Sequence, residues 1–393
     1  MAKILPPCDD HDVQLSSSKW LRVHTGKART ITVALIMITK RIVLTGASGY
    51  LGQHFLHSLI TTPPPDGQRI DVIALYNRLE GFEASVHALS SSCAEGVTVC
   101  VESLDLTNTE KVKEWKAATL LRQKEQEGPA KGCADICLHV AAMSSPRACQ
   151  ASPEQAMAVN IPKAFFRAMK GVPIVALSTD QVYDGTGVVV SPELGVDGYY
   201  VEDGSKGVNF DTNPPANVYG KTKLKMERYL QEHHADLFIA LRSSIIIGPK
   251  APIDGSHVHD TFLHFVQSRK EQETTYFDNE YRTVLSVSHV IATLNWMIQN
   301  FSLRADADAD GSSSLKQYAG IYNLGGKCRA NRVDLAKAVF DHFGFDKKYV
   351  VATKQTSPTS PLDISMDSRK LHQLTGFEAQ PNTLKELVQL TFP

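Results

Sequence analysis

The sequence predicts an α/β fold, a parallel sheet wound on both faces by helices and followed by a smaller α/β part. Three observations carry the prediction. Short apolar runs rich in β-branched residues alternate with helical stretches along the chain. The first run, Ile42-Val43-Leu44, enters the glycine turn Thr45-Gly46-Ala47-Ser48-Gly49-Tyr50-Leu51-Gly52, and a helical pattern follows. Much further on, Tyr219 and Lys223 lie four residues apart in a stretch of helical periodicity, so both face one side.

The chain has 393 residues, 42% hydrophobic and 21% charged, with a net charge of −1. That is long enough for a large α/β domain and a smaller one. The even charge balance argues against a nucleic-acid binder or a polybasic membrane protein. The seven cysteines are odd in number and scattered, which suits a reducing compartment and a cytoplasmic location. Cys133 and Cys137 have no matching second pair, so no metal site is expected. The longest apolar run, residues 31–38, is too short to span a bilayer.

Residues 1–36 have no place in the fold and are expected to be a disordered extension. Met37 then serves as an alternative start, although the lack of acids after Asp12 also fits a targeting peptide. Residues 37–250 are expected to form a Rossmann-type doubly wound parallel sheet. Residues 251–393 form a smaller C-terminal α/β substrate-binding part, with one or two segments returning to the sheet.

The spacing Gly46-x-x-Gly49-x-x-Gly52 differs from the commoner Gly-x-Gly-x-x-Gly, but its strand-turn-helix setting is that of a dinucleotide fingerprint. Gly46 permits the tight turn, Gly49 lets a pyrophosphate approach the backbone, and Gly52 lets the helix over 53–60 pack closely. Residues 63–67 (PPPDG) are a loop and 70–76 (IDVIALY) the second strand. An acid usually ends that strand to hold the ribose of NAD. Here Tyr76-Asn77-Arg78 stands instead, and Arg78 suits a 2′-phosphate, so NADP(H) is favoured and NAD(H) remains open. The bland reading of Arg78 is a solvated loop arginine.

Residues 97–101 form a third strand, with Asp105-Leu106 just after it, and 109–127 a charged helix. The fourth strand, 136–140, runs into Ala141-Ala142-Met143, small residues beside which a cofactor can lie; His139 reads as a packed residue. A helix covers 160–169, and strand 174–177 leads into Ser178-Thr179-Asp180-Gln181. Residues 186–216 form a long irregular stretch, a loop over a site or an insertion, 218–232 a helix, and 237–247 one buried strand. Beyond it come helices at 259–268, 288–300 and 331–344 and strands at 283–287 and 321–324. Residues 305–314 are an acidic insertion, 358–361 a linker, and Asn382 or Thr383 caps a closing helix.

A lysine ammonium near a phenol favours the phenolate, so Lys223 is expected to lower the pKa of Tyr219 and fit it for proton transfer to a carbonyl oxygen. The hydroxyl of Thr179, at a strand's C-terminal end, is placed to bond the same oxygen.

With Ser178-Thr179-Asp180, Val218-Tyr219-Gly220-Lys221-Thr222-Lys223 and Leu241-Arg242-Ser243-Ser244, the chain resembles the extended short-chain dehydrogenases/reductases. Within them it is similar to the dTDP-4-dehydrorhamnose reductase-like (RmlD-like) group, which includes the regulatory β subunit of methionine adenosyltransferase. The pattern Asp363 to Lys370 and Thr383-Leu384-Lys385-Glu386 is similar too. The resemblance covers about residues 40 to 390. It implies an NADPH-dependent reductase of a keto group on a nucleotide-linked sugar. It implies pyrophosphate binding by Gly46, Ser48, Gly49, Tyr50, Leu51 and Gly52, adenine beside Asp105 and Leu106, and nicotinamide ribose beside Ala141, Ala142 and Met143. Tyr219 is then the acid/base, Lys223 holds the ribose, and Thr179 orients the substrate with Asp180 and Gln181 nearby. Arg282 resembles an arginine that grips a diphosphate, with a structural arginine as the even alternative. Gln181 stands where dehydratases carry a glutamate, and an amide is no acid or base, which disfavours dehydration. The gap from Thr179 to Tyr219 exceeds that usual in the reductases. The alternatives are a catalytically silent NADP-binding regulatory subunit of a methionine adenosyltransferase-like enzyme and an NAD-dependent nucleotide-sugar epimerase. The expected association is a homodimer or a partner enzyme.

Overall fold

Among the described residues, seven parallel strands form the central sheet, in the order Val97–Ser103, Gln68–Tyr76, Ile38–Thr45, Ile136–His139, Ile174–Thr179, Phe238–Ser243, Gly320–Leu324. The computed structural model describes residues 20–25, 29–34, 38–77, 79–90, 93–121, 134–185, 199–202, 210–253, 262–303, 315–376 and 381–392. In chain order the strands are β1 (Trp20–Thr25), β2 (Arg29–Ala34), β3 (Ile38–Thr45), β4 (Gln68–Tyr76), β5 (Val97–Ser103), β6 (Ile136–His139) and β7 (Ile174–Thr179). They continue with β8 (Phe238–Ser243), β9 (Ile246–Ile247), β10 (Thr274–Phe277), β11 (Arg282–Ser286), β12 (Gly320–Leu324), β13 (Cys328–Ala330) and β14 (Val350–Thr353). β4 and β6 flank β3, pairing Thr45 with Leu75 on one side and His139 on the other. The strand order reverses beside β3, and ligands of doubly wound sheets bind in the crevice at such a point.

The central strands are apolar on both faces because both faces are covered. Ile42 and Leu44 join one buried cluster and Val43 the other. The same alternation runs through Val72, Ile73 and Ala74, and through Ile136, Cys137 and Leu138. Such strands read as unbroken apolar runs. Helices Tyr50–Thr61 and Val287–Asn300 cover the first face, and Lys163–Ala168 and Val218–His233 the second. The expected helix over 109–127 is Thr109–Trp115 followed by a π-helical stretch, Lys116–Leu121; the rest of it lies outside the described residues.

The single strand expected over 237–247 is two. At Ser243-Ser244 the chain leaves the main sheet, where Ser243 Oγ donates to the carbonyl of Ser244 at 2.8 Å and Ser244 Oγ to Asp180 Oδ2 at 2.9 Å. Local side-chain bonds of this kind compete with the ladder. β9 then pairs with β11, which also pairs with β13. A parallel pair, β10 and β14, and helices Phe262–Ser268, Arg332–Phe343 and Leu384–Thr391 complete a second lobe with its own core. β12, at the edge of the main sheet, comes from the chain beyond residue 250, so that part contributes to both lobes. Within the segment expected to be disordered, β1 and β2 pair antiparallel. The proposed insertion at 305–314 and most of 186–216 lie outside the described residues.

Candidate active site

Gly46 has φ of +70°, and a Cβ there would lie 2.7 Å from Cα of Ala141. A Cβ on Gly52 would lie 2.1 Å from the carbonyl oxygen of Gly46. Only glycine allows the turn, and only glycine lets the helix press onto it. Helix Tyr50–Thr61 begins after Gly49 with no side-chain cap and no acid in its first turn. Its N–H groups thus face the strand ends without a competing carboxylate, a setting that suits phosphate.

A cavity of about 770 Å³ runs from this turn along the C-terminal ends of the strands. Gly46, Ser48, Gly49, Tyr50, Leu51 and Gly52 line one end; Asp105 and Leu106 lie beside β5, and Ala141 and Ala142 after β6. Thr179, Asp180, Gln181, Tyr219 and Lys223 line the other end. The glycine cradle, the uncapped helix start and this length fit a nicotinamide dinucleotide. Leu75, Tyr76 and Asn77, which line the cavity at the end of β4, carry no carboxylate. Arg78 lies outside the described residues.

Met143 does not line the cavity: it packs behind Tyr219, with Cys149 and Ala156. Its backbone is held by Asn160, whose Oδ1 accepts from Met143 N at 2.7 Å and whose Nδ2 donates to Thr222 Oγ1 at 2.8 Å. Asn160 pins the loop after β6 to the helix carrying Tyr219. Sequence reasoning missed it, although an asparagine ending an otherwise buried helix face is a usable signal. Ser144, Ser243 and Ser244 also line the cavity and were missed. His139 is a packed residue: wholly buried, with Nδ1 2.9 Å from Thr45 Oγ1. Burial, and then the charge of Lys223, hold its pKa at about 3.

Tyr219 and Lys223 lie on one face of Val218–His233, which begins at Asn217, whose Oδ1 accepts from Gly220 N at 2.9 Å. Gly220 lets the helix meet the turn after β7, since a Cβ there would lie 2.0 Å from the carbonyl oxygen of Gln181. The lowering of Tyr219 expected from Lys223 is not what the environment produces. Burial, then Asp180, push the phenol above its ordinary value, while a hydrogen bond with Thr179 pulls it down. Lys223 Nζ donates instead to the carbonyl of Leu177 at 2.8 Å, and burial brings its own pKa to about 8, against the opposing charge of Glu227.

Arg282 does not reach the cavity. Its NH1 donates to the carbonyls of Tyr281 at 2.7 Å and Leu362 at 3.1 Å, its NH2 to that of Pro361 at 2.9 Å, and its Nε lies 3.8 Å from Asp180. Of the two readings of this residue, these bonds are those of a structural arginine. Asp180 is 3% exposed; burial raises its pKa and Arg282 opposes that shift. Gln181 Oε1 accepts from Asn217 Nδ2 at 2.7 Å.

The family model described as RmlD substrate binding domain matches residues 40–390. The chain belongs to this family. No curated protein matches it in sequence. Among solved structures, the RmlD-family chain is similar to dTDP-4-dehydrorhamnose reductase from Bacillus anthracis, in complex with NADP. That likeness has 17% identity and a TM-score of 0.60 over 90% of this chain and 98% of that one. It is similar also to a hypothetical dTDP-4-dehydrorhamnose reductase from Sulfolobus tokodaii, at 22% identity and a TM-score of 0.58 over 87% and 98%. UDP-glucuronic acid 4-epimerase from Bacillus cereus, in complex with UDP-glucuronic acid and NAD, aligns at 17% identity and a TM-score of 0.59 over 89% and 97%. At these identities the likeness speaks for the fold, a Rossmann-type α/β sheet.

Proposed function

We propose that this RmlD-family protein is an NADPH-dependent reductase of a keto group on a nucleotide-linked sugar. The observation that carries the reading is one cavity with the glycine cradle at one end and Thr179, Tyr219 and Lys223 at the other. Gly46, Ser48, Gly49 and the start of helix Tyr50–Thr61 would hold the pyrophosphate, and Asp105 and Leu106 the adenosine. Lys223 would hold the nicotinamide ribose. The preference for NADPH rests on Arg78 and on the absence of an acid among Leu75, Tyr76 and Asn77. When bound, the reduced nicotinamide supplies a hydride.

The residues of the chain supply the proton and the geometry. Tyr219 is protonated at the end of the cavity and would give its proton to a carbonyl oxygen that gains negative charge. Thr179, which lines the same end of the cavity, would fix the same oxygen. Lys223 is anchored on the carbonyl of Leu177, which leaves its ammonium to hold the ribose hydroxyls.

The test is a titration with NADPH and NADH, followed by reduced-nicotinamide absorbance as dTDP-4-keto-6-deoxy sugars are added. NADPH oxidation that falls by about 10²–10⁴-fold in Tyr219→Phe, with NADPH still bound, is the expected result. Tight NADPH binding with no turnover on any such sugar would transfer the reading to a regulatory subunit. No binding of either nucleotide would sink it.

A further inference from the structure

Glu227 lies one helical turn beyond Lys223, on the same face of Val218–His233, and is 1% exposed. Its Oε2 accepts from Arg242 NH2 at 2.7 Å; its Oε1 accepts from Arg242 Nε at 3.1 Å and from Ser178 Oγ at 2.5 Å. Arg242, on β8, is equally buried. Its guanidinium carbon lies 5.2 Å from the ring centroids of both Tyr183 and Phe210, and its NH1 donates to Tyr183 Oη at 3.0 Å. A bidentate pair this deep gains little net stability over apolar residues of the same volume, because both charges lose their water. Its position suggests another use. Ser178 immediately precedes Thr179, so one carboxylate joins the end of β7, the neighbouring strand β8 and the helix that carries Tyr219 and Lys223.

We propose that Glu227 is a positioning residue of this site: through Ser178 it fixes the Thr179 strand end against the helix, and, one helical turn from Lys223 on the same face, it sets a carboxylate towards that ammonium. The inference rests on the reading of Thr179, Tyr219 and Lys223 given above. The titratable groups around Lys223 are Tyr219 and Glu227 on its own helix, His139 from β6 and Cys149 from Pro146–Ala151. Asp180, at the end of β7, acts on Tyr219, and Arg242 stands behind Glu227. His139 stays neutral, for burial and Lys223 together depress it. Burial draws Lys223 down to about 8, and Glu227 is the largest opposing charge. Without that carboxylate, Lys223 loses its proton at lower pH.

The experiment compares the full chain with Glu227→Gln. Lys223 is followed by ¹³C NMR of its Cε in the unliganded protein, assigned through Lys223→Met, and NADPH affinity is measured from pH 6 to 9 by fluorescence. The expected result is a Lys223 midpoint about one unit lower and an NADPH affinity weakened about fivefold at pH 8 but little changed at pH 6.5. An unmoved midpoint in the folded variant overturns the electrostatic half of the proposal. The single change leaves Arg242 buried and unpaired, so Glu227→Gln/Arg242→Met, which removes both charges, is measured in parallel and should shift the midpoint in the same direction by a smaller amount. Ser178→Ala removes only the tie to the strand and should fold. It should lower kcat about tenfold with KM for NADPH and the Lys223 midpoint unchanged, and an unaltered kcat overturns the positioning half. The midpoint and the affinity are read without turnover. A shifted midpoint in a protein that reduces no keto sugar would therefore reject the reductase reading and support the role of Glu227 towards Lys223.

Discussion

His139 shows how burial alone sets the chemistry of a residue. It ends β6 at the cofactor crevice, where a histidine invites a catalytic reading, yet it is wholly buried and its pKa is near 3. The unfolded chain takes up a proton near its ordinary 6.5, whereas the folded one refuses it until about 3. The unfolded state therefore binds more protons in that window, and stability is lost as pH falls from 6.5 towards 3. His289, held at about 4 mainly by burial, acts in the same direction. His139→Asn should flatten the acid limb of a stability curve followed by circular dichroism, by up to roughly 5 kcal/mol across that window. A limb of unchanged slope would mean that His139 is protonated in the folded protein. At the same scale Arg282 turned out to be structural. Its place just after Tyr281 was readable, but the carbonyls that hold it come from residues 361 and 362, about eighty positions away.

At the scale of elements, helix ends separate stability from chemistry. Thr383 and Glu386 form a reciprocal capping box on the closing helix, neither of them lining the cavity, and Thr383 was one of the two caps legible from sequence, with Asn382. Thr383→Ala should cost about 1 kcal/mol in unfolding free energy and leave turnover unchanged. Asn217 caps the helix of Tyr219, and its Nδ2 also donates to Gln181 Oε1 at 2.7 Å and to the carbonyl of Thr359 at 3.1 Å. Asn217→Ala should cost at least as much and also lower kcat, because the first turn that orients Tyr219 loses its anchor. Equal kinetics in both variants would show that the cap does not serve the site. The break between β8 and β9 belongs to the same scale. Residues 237–247 read as one apolar run, and nothing local marks where the chain changes sheets except two serines.

For the whole molecule, the joint between the main sheet and the C-terminal segments carries a buried polar bridge within apolar packing. Asn323, on edge strand β12, is wholly buried. Its Oδ1 accepts from Tyr183 Oη at 2.7 Å, and its Nδ2 donates to the carbonyls of Tyr200 at 2.9 Å and Asp367 at 3.1 Å. One amide thus links β12, the turn after β7 and the segment around 367. Asn323→Ala would leave several buried groups unpaired and should cost on the order of 3 kcal/mol in urea unfolding. It should also raise hydrogen exchange at Tyr200 and Asp367. Exchange unchanged at those amides would show that the joint is held by packing alone.

The sequence by itself determined the alternation of strands and helices, the glycine turn, and the pair Tyr219 and Lys223, because these depend on periodicity and on contacts within a few residues. Gly46 and Gly52 could be assigned their steric duties from spacing, and the structure shows the close approaches that demand them. Tertiary structure alone decided which groups meet. It set the phenol of Tyr219 against Asp180 and Thr179, turned Lys223 towards Leu177, buried Arg282 among carbonyls, and joined Glu227 to Arg242 and Ser178. The physical reason is that charge and proton affinity follow burial and neighbours in space, and those neighbours come from strands and loops far apart in the chain.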